Sequence, residues 1–233
     1  MLKIGHRGSA GTKPENSSAS FKEALKQKVD MIELDVRLTK DDKLVVFHDE
    51  DLKRVCGSNE KVSEITLREF KKFDIGSHFS YEFSSEKVMT LQEVINLVGT
   101  KSGLNIEAKL NNSDEREILA VKIADLIISE GISEKCVITS FDHKFIKILK
   151  EMYPDISAGV IFEKYNSKWE QIVEDVNADG ISIHYSSIND EFIKECRIKG
   201  YFLYLWTVND PYEIKRIKKL KVDGIISDYP SIF

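Results

Sequence analysis

The chain has 233 residues, 42% hydrophobic and 31% charged, proportions that suit one soluble domain of the larger kind, since single barrels run to roughly 200–250 residues. Its net charge of -5 argues against a nucleic-acid partner held by bulk charge, because such binding leans on basic faces. Cys56, Cys136 and Cys196 are odd in number, widely spaced and without a CxxC pair, which suggests neither a disulfide framework nor a zinc knuckle.

The first apolar run, 2–5, ends in His6, Arg7 and Gly8. Successive side chains on a strand face opposite ways, so His6 and Arg7 both look inward only if the backbone turns, and Gly8 supplies freedom for a turn. No charged leader with a long apolar region precedes this run, and no stretch approaches the length of a transmembrane helix. The expectation is a cytoplasmic protein with no stable membrane insertion.

Further strands are expected at 30–37, 104–109, 136–140, 157–162, 180–184, 201–206 and 223–227. Helical periodicity covers 17–28, 90–99, 114–130, 142–151, 167–176, 189–199 and 211–220, with Gly99, Gly131 and Gly200 as stops and Asp142, Asn189 and Asp210-Pro211 as starts. Eight strands alternating with helices fit an α/β fold, a closed (β/α)8 TIM barrel spanning 1–233 as a single domain. One interval breaks the rhythm. After the second strand, Leu44-Val45-Val46-Phe47-His48 returns as a hairpin, and residues 49–88 read as a small inserted cap carrying a short helix at 66–73 and a loop from Gly76 to Glu86.

In a parallel barrel the site lies at the carboxyl ends of the strands, and polar groups collect there. Glu33 and Asp35 alternate in the second strand and so share a face. Two carboxylates on a buried face repel unless a hard divalent cation, Mg²⁺ or Ca²⁺, holds them, and Glu107 is the natural third ligand. A buried salt-bridge cluster is the competing reading, but three acids on two apolar strands leave charge uncompensated, which is costly. Three carboxylates, a divalent ion, Arg7 and Lys109 sum to plus one, which a phosphodiester anion neutralises. His6 and His48, at strand ends on neighbouring elements, suit a general base and a general acid across a phosphorus centre. His78 and His143 read as structural. His184, at a strand end, fits substrate contact or a wall position equally.

The strings Gly5-His6-Arg7-Gly8, Pro14-Glu15-Asn16-Ser17, Glu33-Leu34-Asp35-Val36, His48-Asp49, Glu107-Ala108-Lys109, Trp206-Thr207-Val208-Asn209 and Asp223-Gly224-Ile225-Ile226-Ser227-Asp228 together resemble the glycerophosphodiester phosphodiesterases from end to end of the chain. The resemblance implies a (β/α)8 barrel that hydrolyses glycerophosphodiesters, a small-molecule substrate, to an alcohol and sn-glycerol 3-phosphate. It implies His6 and His48 as the catalytic pair and Glu33, Asp35 and Glu107 as ligands of Mg²⁺ or Ca²⁺. Arg7 and Lys109 would grip the phosphate, Trp206 would line the glycerol side, and Glu15 would orient His6 or approach the metal. Val55-Cys56-Gly57 and Met89-Thr90-Leu91 depart from the family's usual strings, in or beside the cap, and bear on substrate choice. A lipid phosphodiesterase of phospholipase D or sphingomyelinase type and a non-catalytic glycerophosphodiester-binding barrel are the alternatives. The sequence leaves a homodimer open.

Overall fold

The computed structural model describes residues 1–233. Nine strands form: β1 (Leu2–Gly5), β2 (Met31–Leu38), β3 (Leu44–Val46), β4 (Gly103–Ala108), β5 (Cys136–Ser140), β6 (Ala158–Phe162), β7 (Gly180–His184), β8 (Phe202–Trp206) and β9 (Gly224–Ser227). Eight of them pair in parallel, and β1 bonds to both β2 and β9, which closes the barrel. The ninth, β3, is the hairpin return, antiparallel to β2 with Val36 opposite Val46. The fold is a TIM barrel, the architecture that the alternation of strands and helices implies.

The helices are α1 (Ser18–Lys26), α2 (Lys53–Cys56), α3 (Leu67–Phe70), α4 (Leu91–Val98), α5 (Arg116–Ser129), α6 (His143–Met152), α7 (Trp169–Asp175), α8 (Asp190–Lys199) and α9 (Pro211–Ile217). Their starts are chemical. Asp142, Asn189 and Asp210 each accept a hydrogen bond from a backbone N–H of the first turn, satisfying donors that a helix leaves open. None is long and apolar enough to cross a membrane.

Alternation along β2 divides the core. Ile32, Leu34 and Val36 face outward into a large cluster shared with the helices, whereas Met31 joins Ile4, Val137, Tyr204 and Ile226 inside the barrel. Glycine makes room for the interior rings: a Cβ on Gly180 would lie 2.3 Å from Phe202 Cγ. Above this apolar floor the same inward positions become polar, with Glu33, Asp35 and Asn105 all buried. The polar layer is therefore at the carboxyl end, where strands run out and loops begin.

Between β3 and α4 the chain builds a second cluster around Val45, Phe47, Leu52, Val55, Val62, Ile65, Phe70, Ile75 and Val88. The structure differs here from the expected single helix at 66–73. Helix α3 covers only Leu67–Phe70, under a Thr66–Glu69 capping box, while α2 and 3₁₀ turns at Val62–Glu64 and Tyr81–Phe83 also form. These turns are too short to show a helical period, and the burial of Leu52, Val55 and Val62 holds them in place of propensity.

Candidate active site

Strand β1 ends in a turn that Arg7 makes as well as Gly8. Arg7 takes φ 47° and Gly8 φ 92°, and a left-handed arginine costs on the order of 1 kcal/mol. The turn points the Arg7 N–H at Glu33 Oε2, 2.8 Å away, and lets the side chains of His6 and Arg7 both line the same cavity. Gly8 admits no side chain there, since a Cβ would lie 2.4 Å from Ser20 Oγ.

Glu33, Asp35 and Glu107 converge. Asp35 and Glu107 sit opposite each other in the β2–β4 register, and one ligand oxygen from each of the three acids lies within 4.8 Å of the others. Arg7 Nε stands 3.2 Å from Asp35 Oδ2, and Lys109 Nζ stands 3.4 Å from Asp35 Oδ1 and in contact with Glu107 Oε1. Asn16, in left-handed backbone at φ 54°, donates to Asp35 Oδ2 at 2.9 Å. Asp35 Oδ1 and Glu107 Oε1 are buried, with the Lys109 ammonium as their charged neighbour. Three buried carboxylates gathered in this way suit a hard cation.

The environment drives the acids apart. Burial and the charge of Asp35 push Glu33 above the usual carboxylate range. Burial acts on Asp35 in the same sense, but Arg7 and Lys109 outweigh it and hold Asp35 well below that range. Burial raises Glu107 as well, against the pull of Lys109.

The two histidines are built alike. His6 Nδ1 meets Asp228 Oδ1 at 2.6 Å, and His48 Nδ1 meets Asp49 Oδ1 at 2.7 Å. A carboxylate only accepts, so each Nδ1 carries its proton and each Nε2 is left for the cavity both rings line. Their settings differ. Burial would lower the pKa of His6, but Glu33 and the Asp228 hydrogen bond raise it overall. Burial lowers His48, and Arg7 and Lys109 add to that against the pull of Asp35.

These groups surround a cavity of about 290 Å³ that Phe141, Glu163 and Trp206 also line. Phe141 and Trp206 meet edge to face at 5.9 Å, and Lys109 Nζ lies 5.5 Å from the Phe141 ring centre. Two of the expected substrate groups stand behind the lining. Glu15 accepts from Arg7 Nη1 at 2.8 Å and so addresses Arg7 instead of His6. The ring of His184 packs against Trp206 at 5.4 Å and bonds Ser186 Oγ, which places it outside the lining. A larger groove of about 490 Å³ opens at the opposite end of the barrel, beside Asp30 and Glu134, and holds no histidine.

Several groups that hold the site's side chains carry no expected role from sequence. Asp49 and Asp228 stand inside the quoted strings, yet their work as histidine partners depends on loops meeting. Asn209 Nδ2 donates to Asp228 Oδ2 at 2.6 Å, and Asn16 reaches Asp35. Arg54, on α2, bonds both Glu15 and Asp49. Asp49, Asn209 and Asp228, at strand ends, had a positional signal.

A parallel barrel with paired imidazoles, clustered acids and two cations at its carboxyl mouth defines a hydrolase of the phosphodiesterase class. The chain belongs to the glycerophosphoryl diester phosphodiesterase family, whose model matches residues 6–232. It is similar to a glycerophosphodiester phosphodiesterase of Caldanaerobacter subterraneus, 36% identical over 98% of this chain and 94% of that one. Another from Bacillus altitudinis is 31% identical over 99% and 96%. The fold superposes on an Oleispira antarctica phosphodiesterase solved in complex with its product sn-glycerol-3-phosphate, with TM-score 0.92 and 28% identity over 98% of this chain and 93% of that one.

Proposed function

We propose that the chain hydrolyses glycerophosphodiesters to an alcohol and sn-glycerol 3-phosphate, using His6 and His48 as the proton-transfer pair. The observation that carries this reading is the matched Nδ1–carboxylate anchoring of both rings beside the acid cluster. An imidazole with Nδ1 tied and Nε2 unprotonated takes a proton from the attacking hydroxyl, and the other, entering as an imidazolium with a second proton on Nε2, gives that proton to the departing alkoxide. Arg7 and Lys109 would hold the phosphoryl oxygens, as a fork and a point charge respectively. Trp206 and Phe141 would form an apolar wall for the carbon part of the substrate.

Glu33, Asp35 and Glu107 would hold Mg²⁺ or Ca²⁺, and the convergence of one oxygen from each within 4.8 Å supports that assignment. A divalent ion in this position would supply Lewis-acid stabilisation of charge on the phosphoryl oxygens. We read residues 1–233 as one catalytic unit, with 49–88 as a cap that belongs to it.

The test is release of glycerol 3-phosphate from glycerophosphocholine or glycerophosphoethanolamine by purified protein, with and without Mg²⁺, Ca²⁺ and chelator. Release with added ion and its loss on chelation are expected. Inactivity on both substrates under every ion would reject the reading. Calorimetric titration of either ion should show binding that D35N abolishes.

A further inference from the structure

One guanidinium joins the two halves of the site. Arg54 Nε donates to Asp49 Oδ2 at 2.7 Å, and its Nη2 reaches Asp49 Oδ1 at 3.1 Å. On its other side, Nη1 donates to Glu15 Oε2 at 2.8 Å and Nη2 to Glu15 Oε1 at 2.6 Å. Asp49 in turn holds His48 Nδ1, and Glu15 holds Arg7 Nη1. The carboxylate that holds the proton carrier and one of the carboxylates that hold the phosphate-facing arginine are therefore joined by one side chain, which is absent from the lining of the cavity.

The source of that side chain matters. Arg54 lies on α2, whose neighbours Leu52 and Val55 are buried in the cluster of the 49–88 segment. Packing of the segment therefore aims Arg54 at the barrel. Lysine would replace it poorly, because a compact ammonium lacks the planar fork that offers paired bonds to each of two carboxylates. No second cation pairs with Asp49: its bonds are to His48 and Arg54 alone.

We infer that Arg54 is a positioning residue that sets the orientation of His48 through Asp49 and of Arg7 through Glu15, so that docking of the 49–88 segment and assembly of the catalytic constellation are one event. The inference rests on the roles proposed above for His48 and Arg7. Arg54 is half exposed, and exposed ion pairs contribute little to stability. Its loss should therefore appear in turnover much more than in melting temperature. Removing a group that orients a catalytic side chain typically costs about 10–100-fold.

The experiment compares wild type, R54A, R54K, H48A and H48A/R54A for kcat and KM on glycerophosphocholine, alongside melting temperature and imidazole ¹⁵N NMR. R54A should lower kcat by about tenfold or more and raise KM, and R54K should recover little of either. In the H48A background, R54A should lower kcat much less than in wild type, because the ring it orients is gone, while its effect on KM through Arg7 persists. The His48 ¹⁵N shifts should report a fixed Nδ1–H tautomer in wild type and a mixture in R54A. Kinetic constants within twofold of wild type, a kcat loss undiminished in H48A, or an unchanged tautomer would each overturn the inference. If R54A does not fold, R54Q, which keeps the stem, is subject to the same outcomes. If wild type is inactive on glycerophosphodiesters the proposed function fails, while the ¹⁵N readout still decides whether Arg54 fixes the ring.

Discussion

The two histidine arms reach the same cavity with the same bond, yet they are anchored in different materials. His6 follows β1, and its partner Asp228 follows β9, the strand beside it, where Asn209 donates from Nδ2 to the carboxylate and accepts the Asp228 backbone N–H at Oδ1. His48 follows the hairpin strand β3, and its partner Asp49 is braced by Arg54 from the inserted segment. One arm is therefore held by a closed barrel, in which every strand has at least two neighbours. The other depends on a small cluster of nine buried residues, and a core of that size contributes far less stability than a barrel. The same chemistry is fixed on one side and conditional on the other.

The most direct way to break the comparison is to remove the rings. H6A and H48A should each lower kcat/KM by at least about 10² with circular dichroism unchanged, and a mild effect of either would remove that arm from the mechanism. F70A sharpens it next. Phe70 is fully buried in the segment and meets Phe47 edge to face at 5.1 Å, so truncation should cost about 3–5 kcal/mol. Limited proteolysis of F70A should cut first within 49–88, with activity falling and the barrel persisting; simultaneous digestion of both would show that the segment has no separate stability. D228N tests the sturdier arm and should lower kcat by roughly tenfold, without the change in protease sensitivity that F70A brings.

The smallest expected effect is a pH dependence at the joint between the arms. Burial would raise the pKa of Glu15, but Arg54 and Arg7 outweigh it and lower it below the ordinary value of 4.5. A carboxyl depressed in the folded state stabilises it above the unfolded pKa and loses that contribution as pH falls through the folded one. E15Q should therefore be less stable than wild type at pH 7, by on the order of 1–2 kcal/mol. The gap should narrow below pH 4.5 and close in stronger acid. A gap independent of pH in urea titrations would dissociate the carboxylate charge from the joint.

Much of the barrel was legible because its signals are local. Strand and helix alternate by burial period, Asp142, Asn189 and Asp210 mark helix starts by their own side chains, and Glu33 and Asp35 share a face by strand geometry alone. Within the site, His6, Glu33, Glu107, Lys109, His48 and Trp206 line the cavity they were expected to share. The errors fall where a contact is long-range. Glu15 was expected to turn toward His6 or a metal and binds Arg7 and Arg54. The strand-end turn was ascribed to Gly8 alone, whereas Arg7 also adopts left-handed backbone, with its N–H on Glu33 from β2. Arg54 had no sequence signal because α2 is a single turn.

Sequence by itself determined the closed parallel architecture, the polar ring at its carboxyl end and the identity of the acids and imidazoles there, since each follows from period, strand facing or residue chemistry. Tertiary structure alone decided which carboxylate holds which ring, that the pKa of Asp35 is held down while that of Glu33 is pushed up, and that the inserted segment reaches both arms. Those outcomes depend on distance and burial, which arise only when residues far apart in the chain share one dry, low-dielectric space.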